Sequence, residues 1–269
     1  MPTSIKVADT SLCLENRDLP APELIREIEE VASNAWPARD MEQLGGWKLR
    51  ANDGITRRAN SVLPLDDPGI DLDDAIDYAE FFYERRGLQA KFQMTEASFP
   101  EELDDRLARL GYAVELRVHA QVATARRLVA VERPWTVHLS PVLTKDWLKA
   151  YAAAGGYEDI VLQVRKGILE RIQPDHVFAL AVVDGQTAGV GLGVVEQGWL
   201  GLFGVETLSQ YRRRGAATSL CQSLVSWAME KGATRVYLQV EEKNTPALAL
   251  YKKMGLRTVY TYWCRVRGQ

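Results

Sequence analysis

The chain has 269 residues, with 33 basic and 36 acidic side chains and a formal net charge of −3. This near-balance argues against a surface built to hold polyanions, and no apolar run approaches the ~18 residues that a membrane span needs. Hydrophobic residues make up 46% and charged residues 26%, as in a soluble globular protein, and the length exceeds one average domain, so we expect two.

The N-terminal half is predicted to alternate helices with strands. Apolar residues at helical spacing predict a first helix that ends before Trp36-Pro37. Residues 47–50 and 55–62 alternate on either side of the turn sequence Asn52-Asp53-Gly54, which predicts a β-hairpin. The elements predicted after it are a helix that is capped by Asp71 and stops near Gly87, a strand over 91–94, a helix over 100–110 and a strand over 112–123.

The C-terminal half is predicted to follow a similar order. Residues 124–141 lose clear periodicity, so we place the boundary between two domains, 1–125 and 126–269, in this segment. Turn sequences at Asp184-Gly185 and Gln197-Gly198 predict an antiparallel meander of three strands. The remaining elements predicted here are helices over 144–154 and 158–172, a helix after Gly215, a strand over 235–240, a helix over 246–254 and a strand over 257–266.

A repeated spacing relates the two halves. Gly87 and Gly111 flank one strand–helix unit, and Gly232 and Gly255 flank another of nearly the same length. Each unit contains a short helix that begins near a proline. The spacing indicates a duplication, although strand–helix–strand units also share glycine stops by chance, and both interpretations stay open.

The cysteines and histidines argue against several kinds of chemistry. Cys13, Cys221 and Cys264 are odd in number, far apart and without a CxxC motif, which disfavours a disulfide framework or a zinc site and fits a reducing cytosol. Residues 1–19 have no apolar segment of the signal-peptide type, so we expect a cytoplasmic protein. The histidines are each flanked by apolar residues, which predicts strand positions without a catalytic role: His119, His138 and His176.

One segment of the C-terminal half has the composition of an anion site. Residues 207–217 connect a buried strand to the start of an amphipathic helix. Its basic and small residues stand side by side: Arg212, Arg213, Arg214, Gly215, Ala216 and Ala217. Small residues let a phosphate approach the unpaired N–H groups of the first helical turn, where the helix dipole is positive. A solvated basic turn before a core helix has the same composition, so this pattern alone leaves both interpretations open.

Two motifs in this half resemble those of the GNAT superfamily of acetyltransferases. Arg212-x-x-Gly215-x-Ala217 is similar to the [Arg/Gln]-x-x-Gly-x-[Gly/Ala] loop that binds the pyrophosphate of acetyl-coenzyme A in that family. The second motif is similar to the family's Asn-x-x-Ala-x-x-Leu-Tyr-x-x-x-Gly-Phe signature, with leucine in place of the usual phenylalanine: Asn244, Ala247, Leu250, Tyr251, Gly255 and Leu256. Both motifs lie in the family's order on the expected elements, and the resemblance covers roughly residues 136 to 269.

The resemblance implies a fold and an activity. The fold is α/β (α+β), with two GNAT-like domains that each have a mixed, mostly antiparallel sheet flanked by helices. The activity is that of an N-acetyltransferase, in which an amine attacks acetyl-coenzyme A directly in a ternary complex. The implied acyl donor is acetyl-coenzyme A, and the implied partner is a small-molecule or peptide amine.

The resemblance also implies roles for individual residues. Tyr251 is the expected general acid that protonates the departing thiolate, which agrees with a phenol pKa near 10. Backbone groups of Val205, Glu206 and Thr207 are expected to pair with the pantetheine arm, and N–H groups of residues 213–218 to hold the pyrophosphate. The further positions implied for cofactor binding are Arg212, Arg213, Arg214, Gly215, Ala216, Ala217, Thr218, Asn244, Ala247 and Leu250.

The sequence offers three candidates for the base that deprotonates the acceptor amine. Histone-type members carry a glutamate on the strand before the loop, and the matching position here is near Gly201, where no carboxylate stands. Glu196, Glu206 and Glu241 are near enough in sequence to act through a water molecule. Surface and turn glutamates are common, so nearness in sequence does not decide among the three, and all stay candidates. We assign Glu206 to the catalytic site.

The N-terminal half departs from the family pattern. Its connection over residues 60–69 lacks the glycine loop and carries Asp66 and Asp67, which repel phosphate. Alignment of the two repeats places Leu107 opposite Tyr251. We therefore expect a degenerate copy that has lost cofactor binding and helps to shape the acceptor cleft. Three residues on its predicted hairpin either contact the acceptor or are solvated: Arg57, Arg58 and Asn60.

Other functions fit the sequence less well. A non-catalytic acyl-coenzyme A sensor would use the same loop, but binding alone does not require the acid Tyr251. Nucleic-acid binding is disfavoured because the basic run is short and lacks interleaved aromatic residues. A covalent relay is disfavoured because Cys221 and Cys264 are expected on buried positions. We expect no membrane association, and either a monomer or a homodimer.

Overall fold

The computed structural model of the protein describes residues 22–128 and 135–268. The predictions for residues 1–19 lie outside this part of the chain. The helices are α1 (Pro22–Ala35), α2 (Leu72–Glu84), α3 (Leu103–Arg109), α4 (Ala125–Leu128), α5 (Lys145–Gly155), α6 (Asp159–Glu170), α7 (Ala216–Glu230) and α8 (Thr245–Met254). The strands are β1 (Asp40–Leu44), β2 (Trp47–Ala51), β3 (Val62–Pro64), β4 (Lys91–Met94), β5 (Tyr112–Thr124), β6 (Thr136–Ser140), β7 (Asp175–Val183), β8 (Gln186–Glu196), β9 (Trp199–Thr207), β10 (Arg235–Glu241) and β11 (Arg257–Arg267).

All these strands form one sheet, in the order β1-β2-β3-β4-β11-β5-β10-β9-β8-β7-β6. Neighbouring strands are antiparallel except for the parallel pairs β3–β4 and β9–β10. The predicted meander is confirmed as β7, β8 and β9. A mixed, mostly antiparallel sheet flanked by helices is the fold class that the sequence predicts.

The two halves exchange their last strands at the centre of the sheet. β11 lies between β4 and β5, and β5 lies between β11 and β10. The β5–β11 register is nearly symmetric. When Gly111 is aligned with Gly255, Leu116 corresponds to Tyr260 and Ala120 to Cys264, and in the sheet Leu116 pairs with Cys264 as Ala120 pairs with Tyr260. The last strand of each half therefore pairs with the preceding strand of the other, an arrangement that a duplicated unit would give. The division near residue 125 stays a prediction.

The hydrophobic core is continuous on one face of the sheet and divided on the other. Helices α1, α5 and α6 pack on the first face in a single cluster that joins both halves. On the opposite face α4, α7 and α8 form one cluster and α2 and α3 form another. Strand β10 shows the alternation, because Tyr237 belongs to the shared cluster whereas Val236 and Leu238 belong to that of α7.

The predicted hairpin around Asn52-Asp53-Gly54 is right in its strand pairing and wrong in the extent of its second strand. β2 and β3 are antiparallel neighbours, with Trp47 facing Pro64 and Leu49 facing Val62. Residues 52–61 form an irregular loop, so β3 begins only at Val62. The reason is Asn60, which is 2% exposed and satisfies the backbone of this loop. Its side-chain amide bonds the N–H groups of Asn52 and Gly54 and the carbonyls of Ile55 and Thr56, at 2.7–2.9 Å.

Smaller differences concern element ends. Helix α3 begins at Leu103, later than residue 100, because residues 101–102 form a turn. The sequence pattern does not predict β1, α4 or β6. The predicted strand positions of the three histidines are confirmed on β5, β6 and β7.

The described residues contain no feature of a metal centre or a membrane span. Over 22–128 and 135–268, no cluster of histidine, cysteine and acidic residues has the arrangement to hold a metal ion. No helix in these ranges combines the length and apolarity that crossing a bilayer requires.

The two cysteines of the described residues are buried. Burial raises the pKa of Cys221 to about 12 and that of Cys264 to about 11, so neither is an activated nucleophile.

Candidate active site

Strands β9 and β10 separate toward their carboxyl ends. They pair at three positions, where residues 199–201 face residues 235–237. β9 then continues to Thr207 and β10 to Glu241, and these parts of the described strands do not pair with each other. We call the gap between residues 202–207 of β9 and 238–241 of β10 the wedge. Backbone groups on its facing edges are therefore free to bind an extended ligand as an added strand.

A bulge in β9 shapes the wedge. The β8–β9 register shifts between Val190 and Leu192, opposite Gly204, which has a φ of +51°. A Cβ atom on Gly204 would lie 3.2 Å from the Tyr151 ring, so this position takes a left-handed backbone and leaves little room for a side chain. The predicted residues 205–207 follow the bulge and lie along the open edge.

The loop after β9 is held by contacts from outside it. Trp135 donates its indole N–H to the carbonyl of Arg214 at 2.7 Å, and its ring meets Tyr211 edge-on at 5.9 Å. Within the loop, Nε of Arg212 donates to the carbonyl of Thr207 at 3.2 Å. These contacts fix the path of the chain between the wedge and α7.

Helix α7 presents an uncapped N-terminus beside this loop. Gly215 precedes it with a φ of +92°, and no side chain caps the helix. The N–H of Ser219 donates to the carbonyl of Gly215 at 3.0 Å, so residues 216–218 form the first turn, whose N–H groups lack a helical acceptor. The three arginines before Gly215 are exposed. Free N–H groups, a positive helix end and nearby guanidinium groups together suit a phosphate.

Helix α8 places the predicted acid close to the wedge. Asn244 caps this helix, since its side-chain oxygen accepts from the N–H of Ala247 at 3.3 Å. Tyr251 is 8% exposed, and its hydroxyl has no hydrogen-bond partner among the described residues. Burial raises the pKa of Tyr251, and Cys221 and Glu206 raise it further. The phenol therefore stays protonated at neutral pH and has a proton to donate.

Glu206 is the carboxylate that the structure brings to this site. It is half-buried on β9, and burial raises its pKa, while Arg165 and Arg212 oppose that rise. Its charge contributes to the raised pKa of Tyr251, so the two side chains share one electrostatic environment. Of the other candidates, Glu196 accepts from Asn34 at the far end of β8. Glu241 is the last residue of β10, at the open end of the wedge, and is exposed.

The structure explains the missing carboxylate at Gly201. A Cβ atom there would lie 2.5 Å from the Phe203 ring and 2.6 Å from the Tyr237 hydroxyl. Aromatic side chains thus fill the space that a histone-type glutamate would need, and a base must come from another position.

The candidate site extends beyond the predicted motifs. Arg165 donates to the Tyr151 hydroxyl at 2.8 Å and lies over the Tyr157 ring at 4.1 Å. Neither Arg165 nor Trp135 belongs to a motif, and only the packing of α6 and of the segment before β6 brings them to the site.

The sequence also offers residues of the N-terminal half as acceptor contacts. Of these, Arg57 is exposed and pairs with Glu115 at 3.4 Å.

Comparisons with known proteins now decide the family. A family model described as "Probable histone acetyltransferase Rv0428c C-terminal" matches residues 23–264. The "Uncharacterized N-acetyltransferase YobR" of Bacillus subtilis (strain 168) is 31% identical over 247 residues, which covers 90% of this chain and 98% of that protein. The chain belongs to the GNAT family of N-acetyltransferases. It is therefore an acyltransferase.

Other members of the GNAT family match over similar lengths. The "Probable histone acetyltransferase Rv0428c" of Mycobacterium tuberculosis is 28% identical over 246 residues, covering 87% of this chain and 70% of that protein. A GCN5-related N-acetyltransferase from Kribbella flavida has the same fold with a TM-score of 0.68 and 19% identity, over 90% of this chain and 95% of that one. A tandem GNAT protein from the clavulanic acid biosynthesis pathway has a TM-score of 0.60 and 14% identity, over 94% and 90%.

GNAT enzymes use acetyl-coenzyme A, and the described residues fit this group. The unpaired strand edges after Gly201 suit an extended amide-containing arm. The uncapped first turn of α7 and its exposed arginines suit the pyrophosphate. Ala247 and Leu250 are half-buried on α8 beside the same cluster of apolar side chains.

Proposed function

We propose that the C-terminal half transfers the acetyl group of acetyl-coenzyme A to an amine, which attacks directly in a ternary complex. One observation carries the proposal: a carboxylate lies on the open edge of the wedge, and a buried phenol without a hydrogen-bond partner in the described chain packs against the same two strands, in one cluster with Val205 and Val240. Glu206 belongs to β9 and Tyr251 to α8. General base and general acid are the two roles that amine acetylation requires.

The chain's own residues would divide the work as follows. Bound acetyl-coenzyme A supplies the thioester carbonyl that an amine attacks. The N–H groups of residues 213–218 and the nearby guanidinium groups hold phosphate, and the edges of residues 205–207 orient the pantetheine arm. The Glu206 carboxylate takes a proton from the acceptor ammonium, directly or through water. The Tyr251 hydroxyl holds the proton that the departing sulfur requires.

The pH dependence of the rate tests the role of Glu206. Burial raises the pKa of Glu206. As the pH falls, the carboxylate is therefore protonated, and its basic form lost, at a higher pH than for an ordinary glutamate. We expect kcat/KM of the wild type to fall on the acid side accordingly. The Glu206→Gln variant should lose about 100-fold in kcat/KM, in the usual range for a general base, together with this acid limb.

Glu241→Gln is the matched control. Glu241 is exposed at the end of the neighbouring strand β10, and its loss should leave both the rate and the pH profile intact. A Glu206→Gln enzyme with an unchanged acid limb would exclude Glu206 as the base, and a Glu241→Gln enzyme without the limb would reassign it.

A further inference from the structure

Arg58, on the loop of residues 52–61 in the N-terminal half, contacts both strands of the catalytic wedge. Its Nη1 donates to Oε1 of Gln239 on β10 at 3.0 Å, and its guanidinium carbon lies 5.3 Å from the ring centroid of Phe203 on β9. These two partners stand two residues beyond Tyr237 and Gly201, the last paired positions of the two strands. Arg58 therefore reaches the point where the strands begin to separate.

The guanidinium of Arg58 is held in place from three sides. The side-chain amide of Gln239 donates to Glu29 at 2.8 Å, which turns its carbonyl oxygen toward Arg58. The Trp36 ring lies 5.5 Å from the guanidinium carbon and stacks on Phe203 at 5.9 Å with an interplanar angle of 16°. Cation–π contacts and one hydrogen bond thus fix the side chain without the help of a carboxylate.

No carboxylate contacts the Arg58 guanidinium directly among the described residues, and the buried Glu29 acts on it only at longer range, across Gln239. Glu29 is 1% exposed and accepts hydrogen bonds from Gln93, Gln239 and Tyr260, and the neighbouring Arg50 is 2% exposed. Burial raises the pKa of Glu29, and the charges of Arg50 and Arg58 oppose that rise, so this one carboxyl group is shared between two arginines. Arg58 has no carboxylate within 4.0 Å among residues 22–128 and 135–268.

One edge of the Arg58 guanidinium is free to bind a ligand. Nη1 is used by Gln239, whereas Nε and Nη2 have no hydrogen-bond partner in the described chain. The side chain is half-buried, and its Nε is not enclosed by protein. Nε and Nη2 form the planar fork that matches the two oxygens of a carboxylate.

We propose that Arg58 binds a carboxylate of the acceptor, so that the substrate is an amine that also bears a carboxylate group. The N-terminal half then contributes a specificity residue to the active site of the C-terminal half. The inference rests on the proposed function, because it places the acceptor at the wedge that Glu206 and Tyr251 border. The carboxylate is the α-carboxylate of an amino acid or a side-chain carboxylate, and matched substrate pairs separate these two sources.

The experiment compares acids with their amides on the full chain. Thiol release from acetyl-coenzyme A is followed with two pairs of amines. L-phenylalanine against L-phenylalaninamide tests the α-carboxylate, and the α-amide of L-glutamate against the α-amide of L-glutamine tests a side-chain carboxylate. We expect the acidic member of at least one pair to have the higher kcat/KM, by about 10- to 100-fold, the worth of one charge-assisted contact.

Arg58→Gln should bring this acid-to-amide ratio toward one, chiefly through the KM of the acid. Arg58→Lys keeps the charge but not the fork and should retain part of the ratio, and it serves as the second variant if Arg58→Gln does not fold. Arg57→Gln is the control, because Arg57 is the adjacent arginine, is exposed and pairs with Glu115. This variant should keep the wild-type ratio.

Four outcomes would overturn the proposal. They are acetylation of no acidic member, equal rates for acid and amide in the wild type, a ratio that Arg58→Gln leaves unchanged, and an equal change in Arg57→Gln. Equal losses on both members of a pair would make Arg58 a structural clamp instead. Glu206→Gln is assayed alongside, because its effect on rate and pH profile tests the proposed chemistry separately from the ratio.

Discussion

The first turns of α2 and α7 occupy corresponding places in the two halves and differ in what they bind. Asp71 caps α2, accepting from the N–H of Asp73 at 2.9 Å, and Asp73 in turn binds Arg106. Helix α7 follows Gly215, has no side-chain cap and begins with Ala216. The N-terminal half thus satisfies its helix end with its own carboxylates, whereas the end of α7 has no side-chain cap and is where we propose that the phosphate binds.

The space in front of the two helix ends differs in the same way. In the N-terminal half the N–H of Gly46 donates to the carbonyl of Asp67 at 2.5 Å, and a Cβ atom on Gly45 would lie 2.3 Å from Pro68. The chain's own β1–β2 turn therefore packs against the connection that a phosphate would need to approach. Such packing is what we expect of a half that has the fold but no cofactor site.

Helices α3 and α8 extend the comparison. Both end at a glycine with positive φ, Gly111 at +86° and Gly255 at +94°, which closes the helix in each half. Leu107 of α3 is fully buried, whereas Tyr251 of α8 keeps a hydroxyl without a protein partner. The residues common to both halves are those that shape the backbone, and the residues that differ are those assigned to chemistry.

The largest expected effect comes from making α8 more like α3. Tyr251→Phe removes the proposed acid while it keeps the ring, and we expect kcat to fall about 100-fold with little change in the Kd for acetyl-coenzyme A. Steady-state rates and calorimetric titration measure the two quantities. Tyr211→Phe is the control, because that phenol bonds Gln186 on the loop surface. A Tyr251→Phe enzyme with wild-type turnover would exclude Tyr251 as the general acid.

A somewhat smaller effect is expected from giving α7 the acidic turn of α2. Ala217 is the second residue of α7, as Asp73 is of α2. In Ala217→Asp the new carboxylate favours the helix dipole but repels phosphate, so acetyl-coenzyme A should bind on the order of 30-fold more weakly while the protein stays folded. Asp73→Ala in the other half should leave binding unchanged. Undiminished affinity in Ala217→Asp would place the pyrophosphate elsewhere.

The smallest effect concerns stability alone. Asp71→Ala removes the cap of α2 and should lower the free energy of unfolding by about 1 kcal/mol. The binding of acetyl-coenzyme A should not change, because we propose that it binds at α7 and not at this helix end. Thermal unfolding and titration on the same variant check both statements. Weaker binding in Asp71→Ala would show that the N-terminal half takes part in cofactor binding.

Local signals in the sequence account for most of the fold and for part of the site. Periodicity, caps and turn residues predict α2, α5 and the meander, because these elements depend on neighbouring residues. The strand exchange and the contacts of Arg58 with Gln239 and Phe203 join residues more than 100 positions apart, which no local pattern contains. The second strand of the predicted hairpin is too long for a related reason, since Asn60 holds residues 52–61 as a loop through hydrogen bonds that alternation does not reveal.

The central claim is that only one of the two related halves binds acetyl-coenzyme A. Calorimetric titration of the full chain with acetyl-coenzyme A tests it most directly. We predict a stoichiometry of one per chain, with binding weakened by Ala217→Asp and unaffected by Asp73→Ala. A stoichiometry of two per chain, or binding that survives Ala217→Asp and is weakened by Asp73→Ala, would contradict the claim.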